Sequence, residues 1–174
     1  MKSVLISIQP RWCELIASGQ KTVEVRKTKP KLDVPFKVFI YETKNSDTIF
    51  AGNPRKPIHL SFGRGKIIGE FVCDKIITAK EGCYINIPRA ESQIDALDLM
   101  DYADGKTVYG WHISDLVIYD KPRELSELRT PCKMTEGSCY FCDYAVHGMD
   151  GDLIDCNTSL TRPPQSWCYV ESEE

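Results

Sequence analysis

The sequence predicts an α+β fold, a small mixed β-barrel flanked by short helices and followed by a small Cys-rich extension. About six strand patterns stand against two helical ones, and two of the strands, residues 65–78 and 107–119, are long. That balance fits a barrel with helices across its ends better than alternating βαβ units. After Pro122 the chain becomes rich in Cys, Gly and Asp. We therefore expect a barrel domain at 1–122 and an extension at 123–174 whose closing strand packs on the barrel.

The strands are predicted where apolar residues alternate with polar or small ones. They are residues 3–8, 21–27, 36–42, 65–78, 107–119 and 167–170. Within the fourth strand, Gly69 indicates a bulge or a close approach of another backbone. A turn at Asp104 and Gly105 leads into the fifth strand.

Two helices are predicted from their end signals. The first begins at Pro10, which suits a first helical turn, and is capped by Gly19. The second covers residues 92–100, with apolar residues at helical spacing. Between the third and fourth strands, residues 44–65 are rich in Gly, Pro and Asn. Loops of that length in compact domains are usually functional or mobile.

Composition and charge narrow the class of protein. The chain has 174 residues, a net charge of −3 and 10% aromatic residues, which excludes general disorder. No apolar run approaches a membrane span, and the run at 4–8 is too short for a secretory signal, so we expect a cytoplasmic protein. The net charges of residues 1–31, 32–89 and 90–174 are +5, +3 and −11. A basic half joined to an acidic half suggests one face for polyanions.

Five of the eight cysteines lie in the last 43 residues, with the spacing C-x6-C-x2-C-x13-C-x11-C. A C-x2-C pair presents two thiolates to one tetrahedral ion, and this pattern favours structural zinc over disulfides in a cytosolic chain. The predicted ligands are Cys139, Cys142 and Cys156, with Cys132 or Cys168 as the fourth. His147 is a weaker candidate, because Asp152 stands where a zinc knuckle has its last cysteine. The other three cysteines, Cys13, Cys73 and Cys83, are expected to be reduced and buried.

A charged strand follows the first helix. Glu24 and Arg26 alternate on one face, where opposite charges two residues apart can pair and keep donors for a ligand. Arg26 offers a fork for a phosphate or a base edge. In a regular strand, Lys21 would point away from Glu24. Lysines 21, 27, 29 and 31 are candidates for further phosphate contacts.

The segment Gly19-x-Lys21-Thr22-x-Glu24-x-Arg26 resembles the G-x-K-x-x-E-x-R signature of ASCH domains, a branch of the PUA-like superfamily. The similarity extends to residues 8–12, 69–73 and 109–113. The closing residues 163–170 are similar to the tail of a phage-associated and bacterial subgroup that carries a Cys-rich extension.

The resemblance implies a PUA-like barrel with a cleft for RNA or another single-stranded nucleic acid. It implies that Lys21, Glu24 and Arg26 line this cleft and that Trp12 closes one wall or belongs to the helix core. The complete set of predicted nucleic-acid contacts is Arg11, Trp12, Lys21, Thr22, Glu24, Arg26, Lys27 and Lys29.

Two alternatives to a binding module stay open. Some ASCH proteins are amidohydrolases of acylated cytidine, which use a lysine, a threonine nucleophile and a glutamate. Lys21 matches the lysine, but Glu24 occupies the threonine position, and a carboxylate is a poor substitute for an amide-cleaving hydroxyl. A hydrolase acting on modified nucleosides or RNA would use Lys21 with Glu24 or Glu70 as general base. The other alternative is a protein-interaction module whose contact surface is the acidic half of the chain, residues 90–174.

Overall fold

The structure is a computed structural model, and it describes residues 2–44, 63–131, 145–147, 149, 153–156 and 158–171. Its strands are β1 (Lys2–Ile8), β2 (Val23–Arg26), β3 (Phe36–Glu42), β4 (Ile67–Ala79), β5 (Val108–Arg123), β6 (Ala145–His147), β7 (Leu153–Cys156) and β8 (Trp167–Glu171). Its α-helices are α1 (Pro10–Ala17), α2 (Arg89–Ser92) and α3 (Ala96–Ala103). Short 3-10 helices cover Tyr84–Asn86 and Leu125–Glu127.

A mixed six-stranded sheet has the order β2-β5-β4-β3-β1-β8. β1 and β3 are parallel, whereas each of the other neighbouring pairs is antiparallel. A parallel pair needs a crossover connection, and here α1 and β2 lie between the two parallel strands in sequence. β6 and β7 form a separate two-stranded sheet.

The two ends of the six-stranded sheet touch each other. The Trp167 indole Nε1, on edge strand β8, donates to Thr28 Oγ1 just after β2 at 2.9 Å. The Trp167 ring also lies 6.0 Å from the ring of Trp111 on β5. On β2 itself, Arg26 Nη2 donates to the carbonyl oxygen of Ser7 on β1 at 2.6 Å. The sheet is therefore curled into a barrel-like shape, as the sequence predicted.

The main core lies inside the curl and is packed by one face of the strands together with α1. It contains Val4, Ile6, Ile8, Cys13, Ile16, Phe36, Val38, Ile40, Phe71 and Trp111, among others. A second cluster on the other face of the sheet includes Leu5, Phe39, Ile67 and Val170. A third cluster joins β2 and β5 to α3 through Val23, Val108, Leu99 and Ala103. Strand β1 is buried on both faces, since its residues alternate between the first two clusters.

Most predicted elements are confirmed, with shifts at their ends. β3 matches its prediction at both ends, and Pro10 begins α1 while Gly19 has the left-handed φ of +73° expected of a cap. Gly69 lies at a register shift between β4 and β5, where a β-carbon would come 2.3 Å from the Val117 carbonyl oxygen. The predicted bulge or close approach at this glycine is confirmed.

Two predictions about local structure were wrong. The helix expected at 92–100 is α3, which begins later, at Ala96, and ends at Ala103. It is preceded by the short helix α2, which was not predicted and which ends where Gln93 takes a left-handed φ of 58°. Cys83, expected to be buried, is exposed in the turn that follows β4, whereas Cys13 and Cys73 are buried. Most of the loop predicted at 44–65 lies outside the described residues. Within the described ranges, no helix is long and apolar enough to cross a membrane.

Candidate functional site

The turn after α1 determines where the charged residues lie. The backbone N–H groups of Gly19 and Lys21 donate to the carbonyl oxygens of Ile16 and Leu15, each at 2.9 Å, so the chain folds back over the last helical turn. Gly19 makes this possible because its positive φ carries no β-carbon penalty. Lys21 therefore precedes β2 and is not part of its regular alternation.

Lys21 is buried beneath this turn, with 1% of its side chain exposed. Its Nζ donates to the carbonyl oxygens of Val23 at 2.9 Å and Ser92 at 2.7 Å, and lies 3.3 Å from Glu24 Oε2. A lysine ammonium has three donors, and here each has an acceptor. Burial lowers the pKa of Lys21 from its usual 10.5, while the neighbouring Glu24 carboxylate opposes this change.

Glu24 joins Lys21 to Arg26. Its second oxygen, Oε1, lies 3.0 Å from Arg26 Nη2, and the same Nη2 donates to the Ser7 carbonyl. Arg26 Nε is buried and has no hydrogen-bond partner among the described residues. We call these three side chains the charge cluster. Pairing of Glu24 with Arg26 is as predicted, but the expectation that Lys21 points away from Glu24 was wrong, because Lys21 lies outside the regular strand.

Trp12 and Arg11 on α1 border the charge cluster. The Lys21 Nζ lies 4.8 Å from the centroid of the Trp12 ring, and the Arg11 guanidinium carbon lies 4.3 Å from it. The indole is partly exposed and also packs against the main core. Trp12 thus packs on the core, which was one of its two predicted roles, and also lies beside the charge cluster; its role as the wall of a nucleic-acid cleft stays a prediction.

A second acidic group, Glu42, lies nearby and was missed by sequence reasoning. It ends β3, is 8% exposed, and accepts the Arg64 backbone N–H at 2.8 Å. Burial, together with the carboxylates of Glu42 and Glu24, raises the pKa of Cys13 far above its usual value. Cys13 therefore stays a thiol. The signal for Glu42 in the sequence is a carboxylate at the end of an otherwise apolar strand.

Comparison with known proteins identifies the family. A family model described as the ASCH domain matches residues 6–127. The chain belongs to the ASCH domain family. The family's PUA-like fold is associated with RNA binding, which gives coarse support to a nucleic-acid partner. No curated protein matches this sequence.

Solved structures show the same fold. The ASCH protein of Zymomonas mobilis matches with a TM-score of 0.58 at 18% identity, covering 97% of this chain and 87% of that one. A serine-to-alanine variant of it gives the same score and identity, covering 97% and 88%. A tyrosine-to-phenylalanine variant matches with a TM-score of 0.53 at 21% identity, covering 72% and 77%. At these identities the likeness concerns the fold.

The remaining predicted contacts of this ASCH domain flank β2, with Thr22 just before the strand and Lys27 and Lys29 after it. Thr22 is held by its backbone, whose N–H donates to Glu91 and whose carbonyl accepts from Ile113, each at 2.8 Å. Lys27 and Lys29 are exposed. Their Nζ atoms lie over the rings of Tyr102 and Tyr109 at 5.0 Å and 5.8 Å from the centroids.

Glu70 lies apart from the charge cluster. It is opposite Phe39, which belongs to the second cluster, whereas Glu24 is opposite Trp111 of the main core. Residues opposite each other in an antiparallel pair share a face, so Glu70 and Glu24 are on different faces of the sheet. Glu70 instead contacts Lys37 Nζ at 2.9 Å and the Tyr119 hydroxyl at 2.5 Å.

The predicted zinc ligands are mostly beyond what the structure describes. Cys132, Cys139 and Cys142 lie outside the described residues, and Cys156 is the last residue of β7. Cys168 on β8 is partly buried against the second cluster, and this burial raises the pKa of its thiol. Among the described side chains, no group of His, Cys, Asp or Glu residues is arranged to hold a metal ion. Zinc binding stays a prediction.

Proposed function

We propose that this ASCH domain is an RNA-binding module that holds its ligand at the charge cluster. The observation that carries the proposal is the state of Arg26. Its guanidinium is fixed by Glu24 and by the Ser7 carbonyl through one nitrogen, Nη2, and its Nε–H has no protein acceptor among the described residues. A buried donor without a partner costs about 1–3 kcal/mol, so an ordered water is favoured at Nε. The 13% of the Arg26 side chain that is exposed is where a ligand would make contact.

The charges around Arg26 also favour an anionic ligand. Within the charge cluster, Lys21 and Arg26 share the one carboxylate of Glu24, so these three side chains carry a net positive charge. Because all three Lys21 donors are occupied, we assign Lys21 to positioning and Arg26 to ligand contact. A rigid planar fork of this kind suits a phosphate or the acceptor edge of a base.

The test is single-stranded RNA binding, measured by fluorescence anisotropy. Arg26→Ala is expected to weaken binding by roughly tenfold or more, since a good bidentate contact contributes about 1–3 kcal/mol. Arg26→Lys keeps the charge and loses the fork, so it should restore only part of the affinity. Lys75→Ala, at an exposed lysine of β4, is the matched surface control. Unchanged affinity in a folded Arg26→Ala protein, checked by thermal melting, would contradict the proposal.

A hydrolase is the second candidate, and the lowered pKa of Lys21 favours it. A buried lysine whose pKa is depressed can act as a base, and Glu24 lies within 3.3 Å of it. Glu70, on the other face of the sheet, is not part of this arrangement. Incubation with acylated cytidine and a panel of RNAs, analysed by chromatography, separates the two functions. Product formation that Glu24→Gln abolishes would establish the enzyme; absence of product with RNA binding intact supports the binding module.

A further inference from the structure

Three tyrosines from distant parts of the chain form a row with the lysines that follow β2. Lys27 lies over Tyr102 of α3, and Lys29 lies over Tyr109 of β5. At the far end, the Lys31 backbone N–H donates to the Tyr169 hydroxyl of β8 at 2.7 Å, and Lys2 Nζ lies 4.9 Å from the centroid of the same ring. The lysine side chains are exposed and each tyrosine keeps an exposed portion.

This row is continuous with the charge cluster. Tyr109 is directly opposite Arg26 in the β2–β5 pair, so the two side chains share a face of the sheet. Arg26 also lowers the pKa of Tyr102, although burial of that phenol has the larger, opposite effect. Both tyrosines thus lie beside the arginine that we assign to ligand contact.

The middle and the far end of the row are fixed by β8. Trp167 bonds Thr28 between Lys27 and Lys29, and its ring lies 5.4 Å from the ring of Tyr169 in an edge-on arrangement. The row therefore leads from Arg26 across the seam where the two ends of the curled sheet meet. We call Lys27, Lys29, Tyr102, Tyr109 and Tyr169 the lysine–tyrosine track.

We propose that the lysine–tyrosine track binds the single strand that leads away from the charge cluster, with phosphates on the lysines and bases stacked on the tyrosines. This inference rests on the proposed function and adds to it a ligand class, an RNA strand of several nucleotides bound without base preference. Aromatic rings beside a basic track are the arrangement that tolerates any base, because every base has a π-face.

The lysine–ring contacts support this assignment because a bound strand can supply a new partner for both the lysine and the ring. In the free protein each ammonium lies over a ring that is partly open to solvent. When a strand binds, a base replaces the ammonium on the ring and the ammonium moves to the adjacent phosphate, so neither group loses a partner. The exposed lysines also release counterions from the strand on binding, which makes the affinity depend on salt.

The experiment compares a uridine dinucleotide with an oligouridine of about twelve nucleotides, a length within the usual range of single-strand sites. In the double variant Lys27→Ala/Lys29→Ala, affinity for the long strand should fall about tenfold, and the slope of log affinity against log salt should decrease by roughly 0.7 per lysine. Affinity for the dinucleotide, which is too short to follow the track, should fall much less than affinity for the long strand. Tyr109→Leu, which keeps an apolar side chain against the main core, should weaken long-strand binding without changing the salt slope.

The matched control is Lys75→Ala/Lys121→Ala, which removes two exposed lysines of β4 and β5 that are not part of the track. Equal long-strand affinity and equal salt slope in the wild type and the track variant would overturn the proposal, as would equal losses in the track and control variants. Arg26→Ala separates this result from the proposed function, because it should weaken dinucleotide binding far more than the track variants do. A wild-type protein that binds neither oligonucleotide would overturn both.

Discussion

At the scale of single residues, the buried ion cluster explains how the site is organised. Taking Lys21, Glu24 and Arg26 out of water is costly, and the cost is offset only when each group keeps its partners. Lys21 has three acceptors, and Glu24 has a cation on each oxygen. The two residues therefore hold Arg26 in place, while Arg26 Nε finds no acceptor among the described residues. This division of roles could not be read from the spacing, because Ser92, an acceptor for Lys21, is 71 residues away.

The close approach of two strands at Gly69 leads to a prediction about stability. A β-carbon at this position would come 2.3 Å from the backbone carbonyl oxygen of Val117, and a backbone atom cannot move aside as the end of a side chain can. We expect Gly69→Ala to lower the free energy of unfolding by about 1–3 kcal/mol, the usual cost of forcing extra volume into a packed site. Chemical denaturation measures this value.

Lys75→Ala, at an exposed position on the same strand, is the control for Gly69→Ala, and we expect it to stay within about 0.5 kcal/mol of the wild type. A Gly69→Ala protein as stable as this control would mean that β4 and β5 can separate locally at the register shift. The glycine would then be needed for something other than the close approach.

At the scale of elements, the sequence predicted those helix and strand ends that neighbouring residues determine. β3 was predicted at both ends because its apolar run is bounded by Pro35 and by a polar segment. The start of α3 was predicted too early, because Gln93 adopts a left-handed conformation that its residue type does not signal. β5 runs four residues beyond its predicted end, since pairing with β4 at Arg123 extends it past the alternating segment. Tertiary pairing, not propensity, determines that end.

The Cys-rich segment carries the second prediction at this scale. Its cysteine spacing favours zinc, and low apolar content leaves few other means of ordering it. We expect about one zinc ion per chain in the purified protein, with four thiolate ligands that leave no open position for water. Elemental analysis measures the zinc, and Cys139→Ser should lose it.

Cys83→Ser is the matched control for the zinc measurement, because Cys83 is an exposed thiol on the barrel. It should keep the full zinc content. Comparing Cys132→Ser with Cys168→Ser then distinguishes the two candidates for the fourth ligand. Zinc binding should protect residues 132–168 from proteolysis. A wild-type protein that contains no metal and still resists proteolysis in this segment would contradict the zinc assignment.

At the scale of the whole molecule, the fold brings together parts of the chain that no local signal connects. The first and last strands pair, and the tyrosines of the lysine–tyrosine track come from α3, β5 and β8. The sequence predicted the basic half and the Glu24–Arg26 pair, because both are local. It did not predict the aromatic half of the track, because register between distant strands determines which rings face the lysines.

Glu70 shows how the strands depend on one another. Its two oxygens contact Lys37 on β3 at 2.9 Å and the Tyr119 hydroxyl on β5 at 2.5 Å, so one carboxylate on β4 links three strands. Burial by itself raises the pKa of Glu70, but the hydrogen bonds from Tyr119 and Lys37 outweigh it and hold the pKa below the usual 4.5. The charged form is therefore the one that stabilises the sheet.

The lowered pKa of Glu70 determines how the stability of the fold depends on pH. Because the pKa is lower in the folded chain, the unfolded chain binds the proton more readily, so the stabilisation is present above pH 4.5 and is lost as the pH falls through the folded value. The glutamine of Glu70→Gln does not titrate, so the free energy of unfolding of the wild type should exceed that of the variant by about 2 kcal/mol near pH 7 and by a smaller amount near pH 3.5. Urea unfolding at both pH values measures the two differences. A difference that stays constant would mean that Glu70 titrates alike in the folded and unfolded chains, and that packing of Phe39 and its neighbours, rather than this carboxylate, holds the three strands together.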